Sequence, residues 1–176
     1  MSNWNKIFKP IVVLSIICIV ITGALALTND ITKPIIEEAT RKAQEAARME
    51  LLPDADGFML VEGIEVANVS GVYKATNGVG AVVTSSAKGY GGTMTVMVGF
   101  TADGTIRQIK VTEQAETKGI GSKVAGDPAF WTRFEGLEAG ELVLNEDVDG
   151  LSGATISSKA LLAAVNSAIE AYKAIG

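Results

Sequence analysis

The N-terminal part of the chain is dominated by one long apolar run. Residues 11–27 contain no charged side chain. With Ile7 and Phe8 the apolar stretch reaches about 20 residues, the length of a helix that crosses a bilayer. Lys6 and Lys9 precede the run, and basic residues of this kind keep the N-terminus in the cytoplasm. The pattern predicts a single-pass anchor in the cytoplasmic (inner) membrane, with the C-terminal domain extracytoplasmic.

A cleavable secretory signal is the alternative interpretation of this run. Ala24-Leu25-Ala26 has the small residues of a cleavage site, and a basic segment precedes the run. Cleavage there would deliver the chain to the same compartment. The run is longer than the roughly 7–15 apolar residues of a typical signal, so a retained anchor is favoured.

Beyond the apolar run, residues 30–51 have the composition of a helix. Pro34 suits a first helical turn, Glu37 and Glu38 favour the N-terminal end, and alanines dominate the interior. Pro53 would end the helix. Its apolar stripe is thin, which predicts an exposed helix that links the anchor to the following domain.

Between residues 58 and 111 the apolar residues alternate with polar ones, and glycines separate short runs. The clearest alternation predicts a hairpin in which a strand from Met94 to Phe100 turns at Asp103-Gly104 into a second strand. Four shorter strands are predicted before this hairpin, over residues 58–61, 64–69, 72–76 and 79–85.

After the hairpin the chain returns to helical patterns. Asp127-Pro128 has the residues of a helix N-cap and first turn, and it precedes three aromatic side chains expected in the core. Residues 142–144 are predicted to form one last strand. From Ile156 onward, apolar residues recur at helical spacing, so Thr155 lies at or beside a helix N-terminus. The apolar positions of this last helix are Leu161, Ala164, Val165, Ala168, Ile169 and Tyr172.

These elements predict an α+β protein with an antiparallel or mixed sheet and flanking helices. The expected organisation is a short cytoplasmic N-terminus and transmembrane anchor over residues 1–29, a juxtamembrane linker helix over 30–53, and a small domain over 54–176.

Charge and missing residue types exclude several functions. Two of the 15 basic residues precede Thr28, so the remainder carries 13 basic against 20 acidic residues, a balance that argues against nucleic-acid binding. The chain has no histidine, and its one cysteine, Cys18, lies in the apolar run. Zinc sites, iron–sulfur clusters and catalytic triads need residues that are missing here. We therefore predict no metal site and no catalytic residue.

Two stretches are candidates for ligand binding. Thr155 lies at or beside a predicted helix N-terminus, where unpaired N–H groups and a partial positive charge favour a phosphate. From these residues alone, however, a threonine before a helix is more typical of an N-cap. The glycines around Tyr90, at residues 89, 91 and 92, allow a flat ligand to approach the backbone. On their own they are more typical of a tight bend with Tyr90 packed into the core.

Residues 149–155, Asp-Gly-Leu-Ser-Gly-Ala-Thr, resemble the flavinylation motif of the FMN-binding domain family. In that family the motif threonine carries FMN through a phosphoester bond. Residues 89–92 and 116–121 resemble two further segments of the family in the same order. The resemblance implies one covalent FMN per chain at Thr155, and recognition of Asp149 and Gly150 by a flavin transferase. The other expected cofactor-binding residues are Ser152, Gly153, Ala154, Ser157, Ser158, Glu116, Thr117, Gly119, Gly89, Tyr90 and Gly91.

With its N-terminal anchor, the whole chain is similar to the G-subunit family of Rnf electron-transport complexes. The resemblance implies that FMN relays electrons within ferredoxin/NAD electron transfer coupled to Na⁺ or H⁺ translocation, alongside other membrane and peripheral subunits. NAD chemistry and ion conduction are expected in those subunits, because this chain has no dinucleotide-binding fingerprint and no acidic residue in its span.

Three alternatives remain open. The chain could be the C-type flavin-carrying component of the sodium-pumping NADH:quinone reductase, which shares the flavinylated threonine but is usually longer. It could be a membrane-anchored flavin-binding sensor or interaction module. As a purely structural protein, it would use Thr155 only as a helix cap and carry no flavin.

Overall fold

A computed structural model of the chain describes residues 8–116, 119 and 121–175. The chain divides into two compact units, with the boundary between Ala43 and Gln44. The elements, in chain order, are α1 (Lys9–Leu51), β1 (Phe58–Val61), β2 (Val69–Ala75), β3 (Gly80–Lys88), β4 (Thr93–Thr101), β5 (Ile106–Gln114), α2 (Gly121–Gly126), α3 (Pro128–Trp131), a short 3-10 helix (Thr132–Phe134) and α4 (Thr155–Lys173).

Helix α1 is continuous through the two segments that the sequence pattern separates. The prediction that Pro34 lies in the first turn of a second helix is wrong, because Pro34 lies inside α1. A proline removes one N–H donor from the helix, and the alanines, glutamates and lysines around it are strong helix formers. Among the described residues, α1 is the one helix that is long and apolar enough to cross a membrane.

The second unit, which begins at Gln44, contains a five-stranded antiparallel sheet in the order β1-β2-β3-β4-β5. The predicted α+β class is therefore confirmed. The predicted hairpin is also confirmed: β4 and β5 pair, and Gly104 in the turn has a φ of 86°. In the same turn the Thr101 hydroxyl donates to the Asp103 carboxylate, which lowers the pKa of that carboxyl below its usual value.

Each face of the sheet packs against a different helix. Successive residues of a strand point to opposite faces, so Val83 and Val98 face one side and Val82 and Met97 the other. The first side forms the larger core with α4. The second side packs against the last turns of α1, where Leu51 is fully buried. The sequence pattern predicts an exposed linker helix over residues 30–53. The C-terminal end of this helix instead lies in the core of the domain.

Close approach of α1 to the sheet depends on a glycine in β4. A Cβ atom built on Gly99 would lie 3.1 Å from the Leu51 Cβ and 3.2 Å from the Leu51 carbonyl oxygen. Two ion pairs flank this contact: Arg107 with Asp54, at 2.6 Å, and Lys110 with Glu50. The last turn of α1 is thus held on the sheet by packing at Leu51 and by the ion pair of Glu50, and the Asp54 pair lies just beyond the helix.

Two predicted strands are absent, and both have a local cause. Residues 64–69 contain Asn68 at a φ of 66°, and the Val69 N–H bonds to the Val66 carbonyl, so the chain turns before β2 begins. Residues 142–144 do not form a strand because the Asn166 side-chain amide bonds both the N–H of Leu142, at 3.0 Å, and its carbonyl, at 2.9 Å. Leu144 makes only an isolated bridge to Val148.

Other predictions for this region are confirmed. The Asp127 carboxylate accepts a hydrogen bond from the Ala129 N–H and caps α3. Phe130 and Phe134 are buried in the larger core. Trp131 is half-buried, and its indole N–H donates to the Val124 carbonyl at 3.0 Å.

The buried end of α1 predicts a large effect of Leu51→Ala. Removing this fully buried side chain should lower the free energy of unfolding by about 2–5 kcal/mol. Met59 is a suitable control, since this apolar residue on β1 is 60% exposed, and Met59→Ala should change stability by less than about 1 kcal/mol. Urea denaturation of the detergent-solubilised full chain, followed by near-ultraviolet circular dichroism, measures both. Equal stabilities of the two variants would contradict this role of α1.

Candidate functional site

Helix α4 begins at the threonine singled out by the sequence. Thr155 is its first residue, and the N-cap position is occupied by Ala154, whose side chain makes no capping bond. The Thr155 side chain is exposed. The Ser158 N–H bonds to the Ala154 carbonyl at 2.9 Å, so the preceding N–H groups of the first turn lack partners within the helix. Thr155 is therefore not the side-chain cap of α4, and its hydroxyl is accessible.

A glycine turn leads into this helix start. Gly153 has a φ of 79°, a conformation that residues with a Cβ atom rarely adopt. The Ala154 N–H bonds to the Leu151 carbonyl at 3.0 Å and closes the turn. Gly153 and Ala154 thus form the backbone turn that places Thr155 at the protein surface.

A cavity of about 350 Å³ opens beside Thr155, within the size range of small-ligand sites. Two exposed apolar side chains stand on it: Tyr90, from the loop between β3 and β4, is 72% exposed, and Ile156, from α4, is 55% exposed. The interpretation of Tyr90 as a core residue is therefore wrong. The described lining residues are Tyr90, Gly121, Gly153, Ala154, Thr155, Ile156 and Ser157.

The loop that carries Tyr90 is tied to α4 by a buried carboxylate. Glu116 follows β5 and is 8% exposed. Its Oε2 atom accepts hydrogen bonds from the Gly91 N–H, at 3.2 Å, and from the Ser157 hydroxyl, at 3.1 Å. Glu116 therefore joins the glycine loop to the first turn of α4, and the cavity lies where these two segments meet.

The chain before the helix is held by side chains from outside the motif. Arg133 donates to the Asp149 carbonyl at 2.6 Å, and the Gly150 N–H donates to the Asn145 side chain at 3.1 Å. Both polar groups of the peptide between Asp149 and Gly150 are thus engaged. The Asp149 side chain itself is exposed.

The remaining predicted site residues differ in their surroundings. Ser152 is exposed, whereas Ser158 is buried and its Oγ accepts a hydrogen bond from the Leu151 N–H at 3.1 Å. Gly119, at a φ of 102°, donates from its N–H to the Ser122 hydroxyl. Thr117 lies outside the described residues.

Two lining residues were missed as site candidates. Ile156 is an apolar side chain on the solvent side of α4, directly after the motif threonine, and this break in the amphipathic pattern could have identified it. Gly121 begins α2 and is buried against Glu116 and Ser157. Nothing in the local sequence distinguishes it from other glycines of the chain.

The cavity suits a ligand with a flat apolar part and an anionic part. Tyr90 and Ile156 offer apolar surface on which a ring system can rest. The unpaired N–H groups of the first turn of α4 favour an anion such as a phosphate. An FMN molecule has both parts, and the exposed Thr155 is one of the residues that line the cavity.

Sequence comparisons identify the two parts of the chain separately. The model of the FMN-binding domain matches residues 89–170, which include Tyr90, Glu116 and Thr155. The model of the RnfG N-terminal region matches residues 1–51, which include all of α1. A helix that can cross a membrane thus precedes an FMN-binding domain, an arrangement that defines a membrane-associated flavoprotein.

Relatives that match the chain over nearly its full length show which family of membrane-associated flavoproteins it belongs to. The chain is 32% identical to the G subunit of the Na⁺-translocating ferredoxin:NAD⁺ oxidoreductase complex of Acetobacterium woodii, over 97% of this chain and 94% of the relative. It is 33% identical to the G subunit of the ion-translocating oxidoreductase complex of Methanosarcina acetivorans, over 97% and 96%. The chain belongs to the G-subunit family of Rnf-type ion-translocating oxidoreductase complexes.

A solved structure shares the fold. The C subunit of the Na⁺-translocating NADH-quinone reductase from Parabacteroides distasonis superposes with a TM-score of 0.50 and 21% identity, over 60% of each chain. The overlap is less than two thirds of that protein's length, and at this identity it indicates a common fold rather than a common role. The Rnf relatives match the chain over nearly its full length, so the Rnf family accounts for the sequence better than the NADH:quinone reductase alternative does.

The close packing of Gly89 against the Glu116 carboxylate predicts that Gly89→Ala destabilises the loop that carries Tyr90. A Cβ atom on Gly89 would overlap with the Glu116 Oε1 atom, so the loop or the carboxylate must shift. Overpacking of this kind costs about 1–3 kcal/mol. Chemical denaturation of the full chain measures the loss, and limited proteolysis should show faster cleavage in the glycine loop.

Gly126→Ala is the matched control, since a Cβ atom there meets nothing within 4 Å. It should leave both the denaturation midpoint and the proteolysis rate close to those of the unmodified chain. If the two alanine variants behave alike, the packing of Glu116 against Gly89 does not hold the loop.

Proposed function

We propose that this chain is the membrane-anchored electron-relay subunit of an Rnf-type complex, with FMN attached to Thr155 through a phosphoester bond. The observation that carries the proposal is the exposed, non-capping threonine at the start of α4, beside an apolar cavity. When bound, FMN supplies one- and two-electron transfer. The relatives' names include ferredoxin and NAD⁺, so the relay operates between these two couples.

Attachment requires an accessible hydroxyl on a fixed backbone. The Thr155 oxygen would form the bond to phosphorus and lose its proton. In the same step, on a flavin transferase, the phosphoanhydride bond of an activated flavin dinucleotide would break, and the other nucleotide would leave as its monophosphate. Because Thr155 is the first residue of α4, the N–H groups of that turn can stabilise the phosphate charge. One motif threonine implies one FMN per chain.

The neighbouring serines contribute unequally to phosphate binding. Ser152 is exposed and can donate its hydroxyl freely. The Ser157 hydroxyl already donates to Glu116, and the Ser158 oxygen already accepts from Leu151. Ser158 retains its own hydrogen for donation. Ser152 is therefore the strongest of the three candidates, with the backbone of Gly153 and Ala154 beside it.

The flavin ring would rest between Tyr90 and Ile156. Both side chains are exposed on the cavity, and they belong to segments that Glu116 ties together. Gly89 and Gly91 flank Tyr90 and let its loop approach α4 closely. The expected ring contact of Thr117 and the contact of Gly119 remain predictions.

Asp149 and Gly150 are proposed as the contact for the flavin transferase. The Asp149 carboxylate is exposed, and a negative charge there would repel a phosphate rather than bind it. Arg133 and Asn145 fix the peptide between these two residues. The transferase would therefore meet a carboxylate held on an ordered backbone.

We infer the membrane topology from charge. Lys6 and Lys9 before the apolar run favour a cytoplasmic N-terminus, which puts the FMN-binding domain on the outer side of the cytoplasmic membrane. The other membrane and peripheral subunits of the complex would exchange electrons with the flavin there. Stable co-purification with integral membrane subunits tests this against a free-standing flavin sensor, and the neighbouring genes test it against a component of the NADH:quinone reductase.

The attachment site predicts that Thr155→Ala carries no covalent flavin. The full chain is coexpressed with a flavin transferase, denatured on a gel, and examined for flavin fluorescence and intact mass. Thr155→Ser keeps the hydroxyl and should remain labelled, at least in part. Ser152→Ala should also remain labelled, since it keeps Thr155.

Two results would count against the attachment site. Fluorescence that survives in Thr155→Ala would move the attachment to another residue. A non-fluorescent band from the unmodified chain, despite an active transferase, would sink the covalent-FMN proposal. Because Thr155 is exposed, its replacement should change stability by no more than about 0.5 kcal/mol, which denaturation can verify.

Ring stacking predicts a difference between two substitutions of Tyr90. Tyr90→Ala should weaken docking of the ring by about 0.5–1.5 kcal/mol beyond the lost contact area, whereas Tyr90→Phe keeps the aromatic face. Visible circular dichroism of the flavin reports how firmly the ring is held. The signal should fall in the alanine variant and persist in the phenylalanine variant, and equal signals would exclude Tyr90 as a stacking partner.

A further inference from the structure

Glu116 differs from the other acidic side chains in being deeply buried. Among the described residues it is the one buried Asp or Glu, at 8% exposure. Both recorded partners of its Oε2 atom, the Gly91 N–H and the Ser157 hydroxyl, are donors. Both of these hydrogen bonds are therefore accepted by the Glu116 carboxylate.

Within the described part of the chain, the Glu116 carboxylate has few partners. Its Oε1 atom is buried and has no hydrogen-bond partner among the described residues. The ion pairs found in the described part of the chain do not include Glu116. A negative charge in a buried site of low dielectric acts over a longer distance than one at the surface.

Two glycines make room for this carboxylate. A Cβ atom on Gly89 would overlap with Oε1, and one on Gly121 would overlap with Oε2. Gly121 and Ser157 both line the cavity and both adjoin the carboxylate. Glu116 therefore lies directly behind the cavity wall without being one of its described lining residues.

We propose that Glu116 is a charge-bearing positioning residue that lowers the reduction potential of the flavin held in this cavity. The inference rests on the proposed function, because it requires FMN in the cavity beside Thr155. Glu116 would act through the wall formed by Gly121 and Ser157, in place of the direct ring contact expected from the sequence.

The expected direction follows from charge. Two-electron reduction of FMN takes up two electrons with one or two protons, so with one proton the flavin gains a net negative charge. A carboxylate behind the wall opposes that gain and favours the oxidised flavin. With an electrode as the electron donor in a redox titration, removing the carboxylate charge should therefore raise the midpoint potential of the flavin.

Three substitutions separate charge from shape. Glu116→Gln keeps the size of the side chain, and its amide oxygen can still accept both hydrogen bonds, but the charge is lost. Glu116→Asp keeps the charge on a shorter side chain. Glu116→Ala removes the charge and both hydrogen bonds. Because covalent FMN stays on the chain, the potential remains measurable even if the loop loosens.

Glu170→Gln is the matched control for loss of one negative charge. Glu170 is exposed on α4, 15 residues from Thr155, which is about 22 Å along the helix axis. This separation exceeds the Debye length of about 10 Å at 0.1 M salt. The control should therefore leave the potential unchanged.

The experiment is a spectroelectrochemical titration of the flavinylated full chain in detergent, with thermal denaturation of each variant. We expect a raised midpoint potential in Glu116→Gln and Glu116→Ala, and a potential close to that of the unmodified chain in Glu116→Asp and Glu170→Gln. An unchanged potential in Glu116→Gln would overturn the proposal. Equal shifts in all three Glu116 variants would also overturn it, since the effect would then follow shape rather than charge.

Failure of the proposed function gives a different result from failure of the Glu116 proposal. An unmodified chain that never acquires fluorescence would remove the flavin and the proposal together. A labelled chain whose potential ignores the charge at residue 116 would overturn only the role of Glu116. If Glu116→Gln unfolds, the comparison of Glu116→Asp with Glu116→Ala decides: equal potentials refute the charge effect, and a lower potential in Glu116→Asp supports it.

Discussion

The packing of α4 on the sheet is the constraint on which the site depends. The apolar stripe of the helix is buried against β2, β3 and β4, and the Ser85 hydroxyl donates to the Ala164 carbonyl at 2.7 Å inside this contact. Once that stripe faces the sheet, the rotation of the first turn is fixed. Ser157 and Ser158 then point into the protein, while Thr155 and Ile156 face solvent. The position of the Thr155 hydroxyl, the proposed attachment site, is thus a consequence of core packing some turns further along.

The sequence predicts those features that depend on local patterns. The β4–β5 hairpin, the cap of α3 and the start of α4 follow from alternation, turn residues and helical spacing. Tyr90 could not be placed in this way, because its exposure depends on contacts of its loop with Glu116, 26 residues further along. The prediction of a strand over residues 142–144 was wrong for a similar reason. The Asn166 side chain on α4 forms hydrogen bonds with the Leu142 N–H and carbonyl groups that a neighbouring strand would need.

The resemblance to the FMN-binding domain family and the physics of the helix start contribute different things. Unpaired N–H groups at α4 explain why an anion is stable there, yet they would serve any phosphate. The match to the FMN-binding domain narrows the ligand to FMN, and the cavity lined by Tyr90 and Ile156 offers apolar surface that suits a flat ring. Glu116 was expected only as a ring contact, and its buried hydrogen bonds could be found only from the fold. Gly89 and Gly121 have one feature in common, since each leaves space for the Glu116 carboxylate.

The order of the elements along the chain has a consequence for biosynthesis. The five strands follow one another in both sequence and space, so each can pair with its predecessor as the ribosome releases it. The core between the sheet and α4 cannot close until α4 has also been made, since that helix fills most of one sheet face. Thr155, the proposed attachment site, is on the element that completes the core. In the proposed attachment, a nascent chain that lacks α4 therefore presents no hydroxyl to modify.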